Sequence, residues 1–487
     1  MKKERNLSEC LRVITIAFLV CLIIPFSLSE IVVARPFEAI FAEVATDITK
    51  NCIFNVSENE VDIKKLTDSS ISTNWSASED AFIEISSTQN IGAIYIEWTS
   101  LPEIWTLSIF DESIFVPYKK SGDDVFINEF ISIEESYKKI RISWNKTDKP
   151  VSIARITVFT KGDVPDNIQK WEPPCTKADM LVLPTHADDE HLYFGGTLST
   201  YAGEQRKKVQ VAYMTNCGFS RTREALAGLW VSGIKNYPII SNFPDRYAAT
   251  YDEAVKIYGL DPVLEYQVML LRRFQPDVVI GHDLLGEYGH GAHMLNAKSL
   301  TRALEVAKDS LMFVESAEKY GIWEVKKCYL HLYKENPITM DWTLPLESFG
   351  GKSSWEIAQT GYLKHVSQQR FKFIVRIEGP NDCRQFGLYF TSVGEDILKN
   401  DFFENVSPIL DSQTNSNTVS EEIITSAISN TSSAESSSGL SSPIPNSLSG
   451  INTYWVKNAV IISFIVIILL LLLFYILYIN RKHYAKK

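Results

Sequence analysis

Between residues 176 and 308 the sequence alternates short apolar runs with longer segments of helical spacing. The apolar runs, at residues 179–184, 208–214 and 277–281, have the length of buried strands. Helices are predicted at residues 192–203, 221–232, within 254–274 and at 293–308. Strands that alternate with helices in this way build a mostly parallel sheet with helices on both faces. We therefore predict an α/β domain over residues 176–405.

Residues 45–162 show a different pattern, in which short β-type runs follow one another with turns between them. Such runs occur at residues 81–86, 91–98, 105–110, 139–144 and 153–160, and this spacing predicts an all-β sandwich. Residues 66–75 and the strand after them resemble the discoidin, or galactose-binding-like, module. The resemblance implies glycan binding, with a purely structural module as the alternative. Core packing is the favoured role for Trp75, Trp98, Trp105 and Trp144.

Both ends of the chain have the apolar character of exported, membrane-attached proteins. Residues 1–34 combine an early cluster of Lys and Arg with an apolar stretch, as in a signal peptide or an N-terminal anchor. Residues 459–479 carry no charge and are long enough to cross a bilayer core of about 30 Å as a transmembrane helix. The basic tail at residues 480–487 then predicts a cytoplasmic C-terminus.

Between the α/β domain and this helix, residues 406–452 are rich in Ser, Thr and Asn, which is typical of a flexible stalk. The sequence thus predicts an extracellular ectodomain tethered to the cell membrane at its C-terminus. Ile-, Lys- and Asn-rich usage and the short basic tail favour a bacterial surface.

Charge and cysteine content exclude several classes of protein. A net charge of −11 disfavours nucleic-acid binding, and 45% hydrophobic residues exclude wholesale disorder. Five cysteines lie in the predicted exported part, without a CxxC pair. This argues against a disulfide framework and against a zinc–thiolate site, while one or two incidental disulfides stay open.

Histidines are concentrated where the predicted strands end. Seven of the eight fall within residues 186–365, and the first 185 residues contain none. One polar cluster, at residues 185–190, follows the first strand, and a second, at residues 286–293, comes just past the strand at 277–281. Ligands collect at the carboxyl ends of parallel strands, and imidazole with carboxylate suits Zn²⁺ or Fe²⁺. Two ligands can come from the first cluster and one from the second, leaving one carboxylate of the Asp188–Asp189 pair as a general base.

At these two clusters the sequence resembles the LmbE-like deacetylases, the PIG-L type, which include N-acetylglucosaminyl-phosphatidylinositol de-N-acetylase. The family signature is a strand that ends in His-Pro-Asp-Asp-Glu, then Gly-Gly and, downstream, His-x-x-His. Residues 181–190, Gly195-Gly196 and residues 288–293 match it in order and context. The resemblance spans residues 176–370 and implies a Rossmann-like α/β fold and metal-dependent removal of an acetyl group from an amino sugar.

Carried onto the matching positions, the resemblance implies a role for each residue of the two clusters. The implied metal ligands are His186, Asp189 and His293. Asp188 would be the general base, His290 an electrostatic or acid partner of the tetrahedral intermediate, and Tyr288 would polarise the substrate carbonyl. Glu190 would orient the loop that carries the ligands.

Two positions depart from the family pattern. Ala187 replaces the usual proline, and Ala292 stands where many members carry an Asp that supports the neighbouring histidine. Glu287 or Asp283 could supply that support here. Supporting or structural roles are favoured for the remaining histidines, of which the first two are alternative ligands: His191, His282, His331 and His365.

The sequence therefore predicts an exported, membrane-tethered, zinc-dependent de-N-acetylase, with Fe²⁺ as the alternative ion. Its predicted substrate is an N-acetylated amino sugar in a glycan or glycolipid. One alternative, which Ala292 favours, is a carbohydrate-binding or adhesion protein that has lost activity. The other is a metal hydrolase of a different N-acyl amine.

Overall fold

The structure is a computed structural model that describes residues 43–68, 70–78, 80–121, 126–145 and 148–406. These residues form a mixed α/β protein with a β-sandwich on its N-terminal side, as predicted. The predicted signal segment, the stalk beyond residue 406, the apolar segment at 459–479 and the basic tail lie outside the described residues. Among the helices that are described, none combines the length and the apolar character needed to span a bilayer.

Seven antiparallel strands build the N-terminal sandwich. They are β1 (Ile53–Val56), β2 (Trp75–Ala77), β3 (Ala81–Ser100), β4 (Trp105–Asp111), β5 (Ile114–Lys120), β6 (Asn128–Trp144) and β7 (Val151–Phe159). Strands β3 and β6 are long enough to serve both layers, and their pairing shifts register between Ser86 and Ile91. The first half of β3 pairs with β1 and the end of β6, whereas the second half pairs with β7 and the start of β6.

Tryptophan and β-branched side chains fill the space between the two layers. Trp75, Trp98 and Trp105 are fully buried and Trp144 is 4% exposed, so the prediction that they pack in the core is confirmed. Adjacent rings of this group lie 5.9 to 6.1 Å apart, within the range of edge-to-face aromatic pairs. These indoles therefore stabilise the sandwich and are closed to a ligand.

Seven further strands form the second sheet. They are β8 (Met180–Val182), β9 (Val209–Tyr213), β10 (Ile239–Ile240), β11 (Val278–Gly281), β12 (Lys327–His331), β13 (Pro337–Thr339) and β14 (Gln385–Thr391). The strand order is β10-β9-β8-β11-β12-β14-β13, parallel from β10 to β12 and antiparallel at β14 and β13. The chain leaves β8 towards β9 on one side and later returns to β11 on the other. The strand order thus reverses between β8 and β11, which is where α/β sheets bind ligands.

Helices cover both faces of this sheet. They are α1 (Asp189–Leu192), α2 (Gly218–Val231), α3 (Tyr251–Tyr258), α4 (Leu260–Phe274), α5 (Gly291–Val306), α6 (Val314–Tyr320) and α7 (Ser354–Tyr362). Successive strand residues point to opposite faces. Met180 and Val182 accordingly join the core beneath α2 and α7, while Leu181 joins the core beneath α4 and α5.

The five cysteines of the described residues are all free, so the incidental disulfides that the sequence left open are not found among them. Two predicted helices are also built differently from expectation. The segment 254–274 contains two helices because Gly259, at φ 75°, ends α3 and begins α4. The segment 192–203 contains the end of α1, turns, and most of a π-helical turn at Ser199–Glu204.

Candidate metal centre and catalytic cavity

The two polar clusters predicted from the sequence meet at the point where the strand order reverses. Residues 185–190 follow β8 and residues 286–293 lie past β11, and these two strands are parallel neighbours. The structure brings His186, Asp189, His290 and His293 together, and all four are buried. The adjacency of the strand ends is what converts two distant sequence motifs into one site.

Three atoms converge in the arrangement that a metal ion needs. His186 Nδ1 lies 3.1 Å from His293 Nε2, and Asp189 Oδ2 lies 3.3 Å from each of these nitrogens. In a tetrahedral zinc site, bonds of about 2.0–2.1 Å place neighbouring ligand atoms about 3.3 Å apart. The triangle formed by His186, Asp189 and His293 therefore has dimensions suited to holding a divalent cation.

His282, an alternative ligand in the sequence analysis, is occupied at both ring nitrogens. Its Nε2 accepts a hydrogen bond from the Thr185 amide at 2.9 Å, so its lone pair is not free for a metal. Its Nδ1 must then carry the proton, which it donates to Glu287 Oε2 at 2.8 Å. The ring stacks on His293 with centroids 4.3 Å apart, so His282 supports the centre from behind.

Glu287 is the carboxylate that fixes the orientation of the second ligand cluster. Its Oε2 accepts from Nδ1 of His293 and of His282, both at 2.8 Å, and its Oε1 accepts from Nδ1 of His331 at 2.8 Å. These bonds orient the His293 ring so that Nε2 faces Asp189 Oδ2 and His186 Nδ1. Burial works against the charged imidazole, yet Asp189 and Glu287 raise the pKa of His293 to about 10.

The support of His293 by Glu287 answers the question raised by Ala292. Ala292 is fully buried and packs among apolar side chains, including those of Val263 and Leu295. Glu287, six residues before His293, supports this histidine in place of a carboxylate at position 292. The departure at Ala292 therefore leaves the His293 ring supported, whereas Nδ1 of His290 has no partner among the described residues.

Asp188 lies beside the proposed ligands in a strained backbone conformation. Its φ is 136°, and its amide donates to Glu190 Oε2 at 2.9 Å. Such strain persists only where the surrounding contacts enforce it, and it is common at active sites. Burial and the adjacent Asp189 raise the pKa of Asp188 well above its usual value, while Arg221, whose Nη2 is 3.5 Å from Oδ1, opposes the rise.

A second buried network holds the loop from below. Glu190 is fully buried, and its Oε1 lies 2.9 Å from His365 Nε2 and 3.0 Å from His191 Nδ1. His191 Nε2 lies 3.0 Å from Ser232 Oγ. Although burial opposes the charged carboxylate, His365 and His191 lower the pKa of Glu190 far below its usual value. Glu190 therefore orients the loop, and His191 faces away from the metal position.

His290 and Tyr288 lie on the open side of the centre. The His290 ring packs edge-on against His186 and Tyr247, at 4.9 and 5.0 Å, and its Nδ1 has no partner within the described chain. Burial, together with the neighbouring His293 and His186, lowers the pKa of His290 to about 3. Tyr288 is 51% exposed at the rim and stacks on Phe373 at 5.8 Å.

A cavity of about 510 Å³ opens over these residues. Asp188, Asp189, His186 and His290 line its floor. Arg221 and its ion-pair partner Asp245 line its wall. Sequence reasoning did not find the outer rim, which comes from a segment near residue 370 with no motif of its own. The rim residues from this segment are Gln368, Arg370, Phe371 and Phe373.

The chain is similar to a known protein family and to a curated protein. Residues 181–304 match the family described as PIG-L: GlcNAc-PI de-N-acetylase, and this stretch contains both polar clusters. A curated relative is the 1D-myo-inositol 2-acetamido-2-deoxy-alpha-D-glucopyranoside deacetylase of Geodermatophilus obscurus. It is 24% identical over 179 residues, or 31% of this chain, and the match spans 60% of the relative's length.

Two solved structures are similar to parts of the chain. The conserved protein TT1542 from Thermus thermophilus covers 39% of this chain and 80% of its own, with 19% identity and a TM-score of 0.27. The family 32 carbohydrate-binding module of Clostridium perfringens NanJ, solved with galactose, covers 24% of this chain and 99% of its own. Its identity is 11% and its TM-score 0.21.

Proposed function

We propose that this chain, which carries a PIG-L domain at residues 181–304, is a metal-dependent de-N-acetylase. Its substrate would be an N-acetylated amino sugar of the N-acetylglucosamine type in a glycan or glycolipid. The observation that carries the proposal is the triangle of His186 Nδ1, Asp189 Oδ2 and His293 Nε2, with edges of 3.1 to 3.3 Å. It lies beside a cavity whose lining includes His186, Asp189 and Asp188. Zn²⁺ suits this donor set, with Fe²⁺ as the alternative ion.

The reaction adds water to the acetamide carbon, breaks the carbon–nitrogen bond and releases acetate and a free amine. A divalent cation held by His186, Asp189 and His293 would lower the pKa of a water molecule and polarise the acetamide oxygen. Asp188, which lines the same cavity, would take the proton from the attacking water as the general base.

The developing oxyanion needs hydrogen-bond donors on the open side of the centre. The lowered pKa of His290 keeps its ring neutral near pH 7, where one ring nitrogen still carries a proton to donate. Tyr288 offers its phenol from the rim. Both side chains would donate to the oxygen that gains charge, and Asp188 would pass its proton to the departing amine.

The proposal includes location. We infer an exported ectodomain whose membrane anchor is the apolar segment at residues 459–479, with the basic tail inside the cell. The uncharged length of this segment and the positive charge after it support this location. Fractionation of cells that express the full chain and a chain ending at residue 452 checks this. Recovery of the full chain in the cytoplasmic fraction would contradict it.

Activity and metal content test the catalytic proposal together. The purified protein should bind about one Zn²⁺ or Fe²⁺ and release acetate from N-acetylglucosaminyl-phosphatidylinositol or from N-acetylglucosamine oligosaccharides, and a chelator should abolish release. Asp188→Asn should keep the metal but slow acetate release about 10²- to 10⁴-fold, because general-base catalysis is worth that much. Asp252→Asn, on the exposed start of α3, is the matched control. Full activity of the metal-free wild type, or of Asp188→Asn, would overturn the proposal.

A further inference from the structure

A second cavity, larger than the catalytic one, lies between the outer face of the sandwich and helix α2. Its volume is about 1010 Å³, at the upper end of the range for sites that hold small organic ligands. The sandwich wall uses residues on the same face of β3 and β7, which are paired strands, and the facing wall uses one side of α2. The principal wall residues are Tyr95, Glu97, Arg155, Phe219, Arg223 and Glu224.

Three polar side chains that line this cleft carry buried atoms without a partner in the described chain. They are Thr99 Oγ1, Asn128 Oδ1 and Arg223 Nε. Asn128 is only 4% exposed. Buried polar atoms are nearly always hydrogen-bonded, because each unsatisfied one costs about 1–3 kcal/mol. A ligand with both donors and acceptors would satisfy these three atoms, which lie together at one cleft.

The orientation of the Asn128 amide follows from its neighbours. The Trp171 indole can only donate, and it donates to Gln169 Oε1 at 2.8 Å. This oxygen also lies 2.9 Å from Asn128 Nδ2, so that nitrogen is the donor of the second bond. The unpaired end of the Asn128 amide is therefore its oxygen, which calls for a hydroxyl or an amide donor from the ligand.

The charged and aromatic side chains that line the cleft indicate which class of ligand it suits. The acidic residues Asp47, Glu97 and Glu224 are balanced by the basic residues Arg155, Arg223 and Lys364. Glu97 and Arg155 also pair with each other across the strands. A site without net charge suits a neutral ligand rich in hydroxyl groups. Apolar surface from Phe219, which is 40% exposed, gives the face of a sugar ring a surface to pack on.

The cleft and the catalytic cavity share their structural supports. Arg223 faces the cleft, and Arg221, two residues earlier on α2, lines the catalytic cavity. Glu224 accepts from the amide and the hydroxyl of Ser367, at 2.9 and 2.7 Å. Four of the next six residues line the catalytic cavity, namely Gln368, Arg370, Phe371 and Phe373. The short segment at residues 367–373 therefore contacts the cleft residue Glu224 at one end and lines the catalytic cavity with the rest.

We propose that this cleft binds neighbouring sugar residues of the same neutral glycan chain whose N-acetyl group is removed in the catalytic cavity. The inference rests on the proposed function and adds to it that the substrate is an oligosaccharide or polysaccharide. The sandwich contributes through the strand face that packs towards α2, since its tryptophans are buried in its core.

Kinetics with a long and a short substrate tests the cleft. The probes are the β-1,4-linked pentasaccharide of N-acetylglucosamine and the single sugar. In Asn128→Ala and Phe219→Ala, the ratio of the KM for the pentasaccharide to that for the single sugar should rise about 2- to 10-fold. The loss of one hydrogen bond, about 0.5–1.5 kcal/mol, sets this scale. Asn90→Ala, at an exposed position of β3, is the matched control and should leave the ratio as in the wild type. An unchanged ratio in both cleft variants overturns the proposal.

Direct binding separates this proposal from the proposed function. Calorimetry with the pentasaccharide on Asp188→Asn protein measures affinity while acetate release is slowed about 10²- to 10⁴-fold. Weaker binding after Asn128→Ala is added supports the cleft even if the wild type releases no acetate from any sugar. Binding that stays as tight as before overturns the cleft, whatever the enzyme does. Phe219 is partly exposed, so its variant keeps the test valid if Asn128→Ala does not fold.

Discussion

At the scale of single residues, one buried carboxylate organises three histidines. Both oxygens of Glu287 are used, one by His282 and His293 and the other by His331. Although burial opposes ionisation, His282 and the other hydrogen-bonding histidines lower the pKa of Glu287 well below its usual value, so it stays charged at neutral pH. A charged acceptor behind a ligand imidazole increases the basicity of the nitrogen that faces the metal.

Glu287→Gln should therefore weaken metal binding without removing a ligand. The amide has one oxygen in place of two, so at least one of the three histidines would face an NH₂ group. We expect the metal affinity, measured by competition with a chromogenic chelator, to fall about 10- to 100-fold. Glu265→Gln, on the exposed side of α4, is the control and should bind as the wild type does. A folded Glu287→Gln protein with unchanged metal affinity would show that the carboxylate has no such role.

The sequence predicted which residues could meet, but not all of the contacts between them. His186, Asp189 and His293 converge because two strand ends are adjacent, and the alternation of strands and helices already implied this. The choice between Asp283 and Glu287 needed coordinates: Asp283 Oδ1 accepts from the Leu285 amide, within its own turn. The part played by His331 depends on β12 lying beside β11, a pairing that no local pattern reveals.

At the scale of elements, helices α2 and α7 approach closely because each has a glycine at the contact. A Cβ on Gly361 would lie 2.2 Å from His191 Nε2, and one on Gly228 would lie 2.8 Å from His191 Cε1. The His191 ring is thus held between two helices while its other side faces Glu190. The close approach of α2 and α7 to the His191 ring therefore helps to fix the segment just before it, which carries Asp188 and Asp189.

Gly361→Ala should consequently destabilise the protein. Overpacking in a closed core costs about 1–3 kcal/mol, so the free energy of unfolding measured with urea should fall by that amount. Gln359→Ala, on the same helix, should stay within about 0.5 kcal/mol of the wild type, as other half-exposed positions do. Equal stabilities of the two variants would mean that the helices can separate at no cost and that the contact does not fix the loop.

The order and type of the elements were more predictable than their limits. Runs at residues 81–86 and 91–98 were predicted as separate strands, yet they form one strand, β3, that changes partners at a register shift. Period-2 patterning shows which residues face a core, but not whether a chain turns or bends between two runs. The end of α3 at Gly259 carried a local signal, since glycine followed by Pro262 is typical of one helix ending and another beginning.

At the scale of the whole molecule, the sandwich and the α/β sheet belong to one compact unit within the described residues. The connection between them is packed, because the Trp171 ring contacts the rings of Trp230 and Tyr237 at 5.4 and 5.6 Å. Phe126 of the sandwich stacks on Tyr237 at 4.7 Å, and the Tyr237 hydroxyl accepts from the Ile127 amide. The prolines at 173 and 174 mark a change of pattern, but buried contacts continue across it.

These contacts predict that the two parts unfold together. A double-mutant cycle of Phe126→Ala and Tyr237→Ala should give a coupling energy of about 0.5–1.5 kcal/mol, the usual value for an aromatic pair. The wild type should melt in one calorimetric transition. As a control, Phe126→Ala should be additive with Tyr333→Ala, because the Tyr333 ring packs edge-on against Tyr389 instead. Two separate transitions, or no coupling between Phe126 and Tyr237, would mean that the sandwich folds independently of the α/β part.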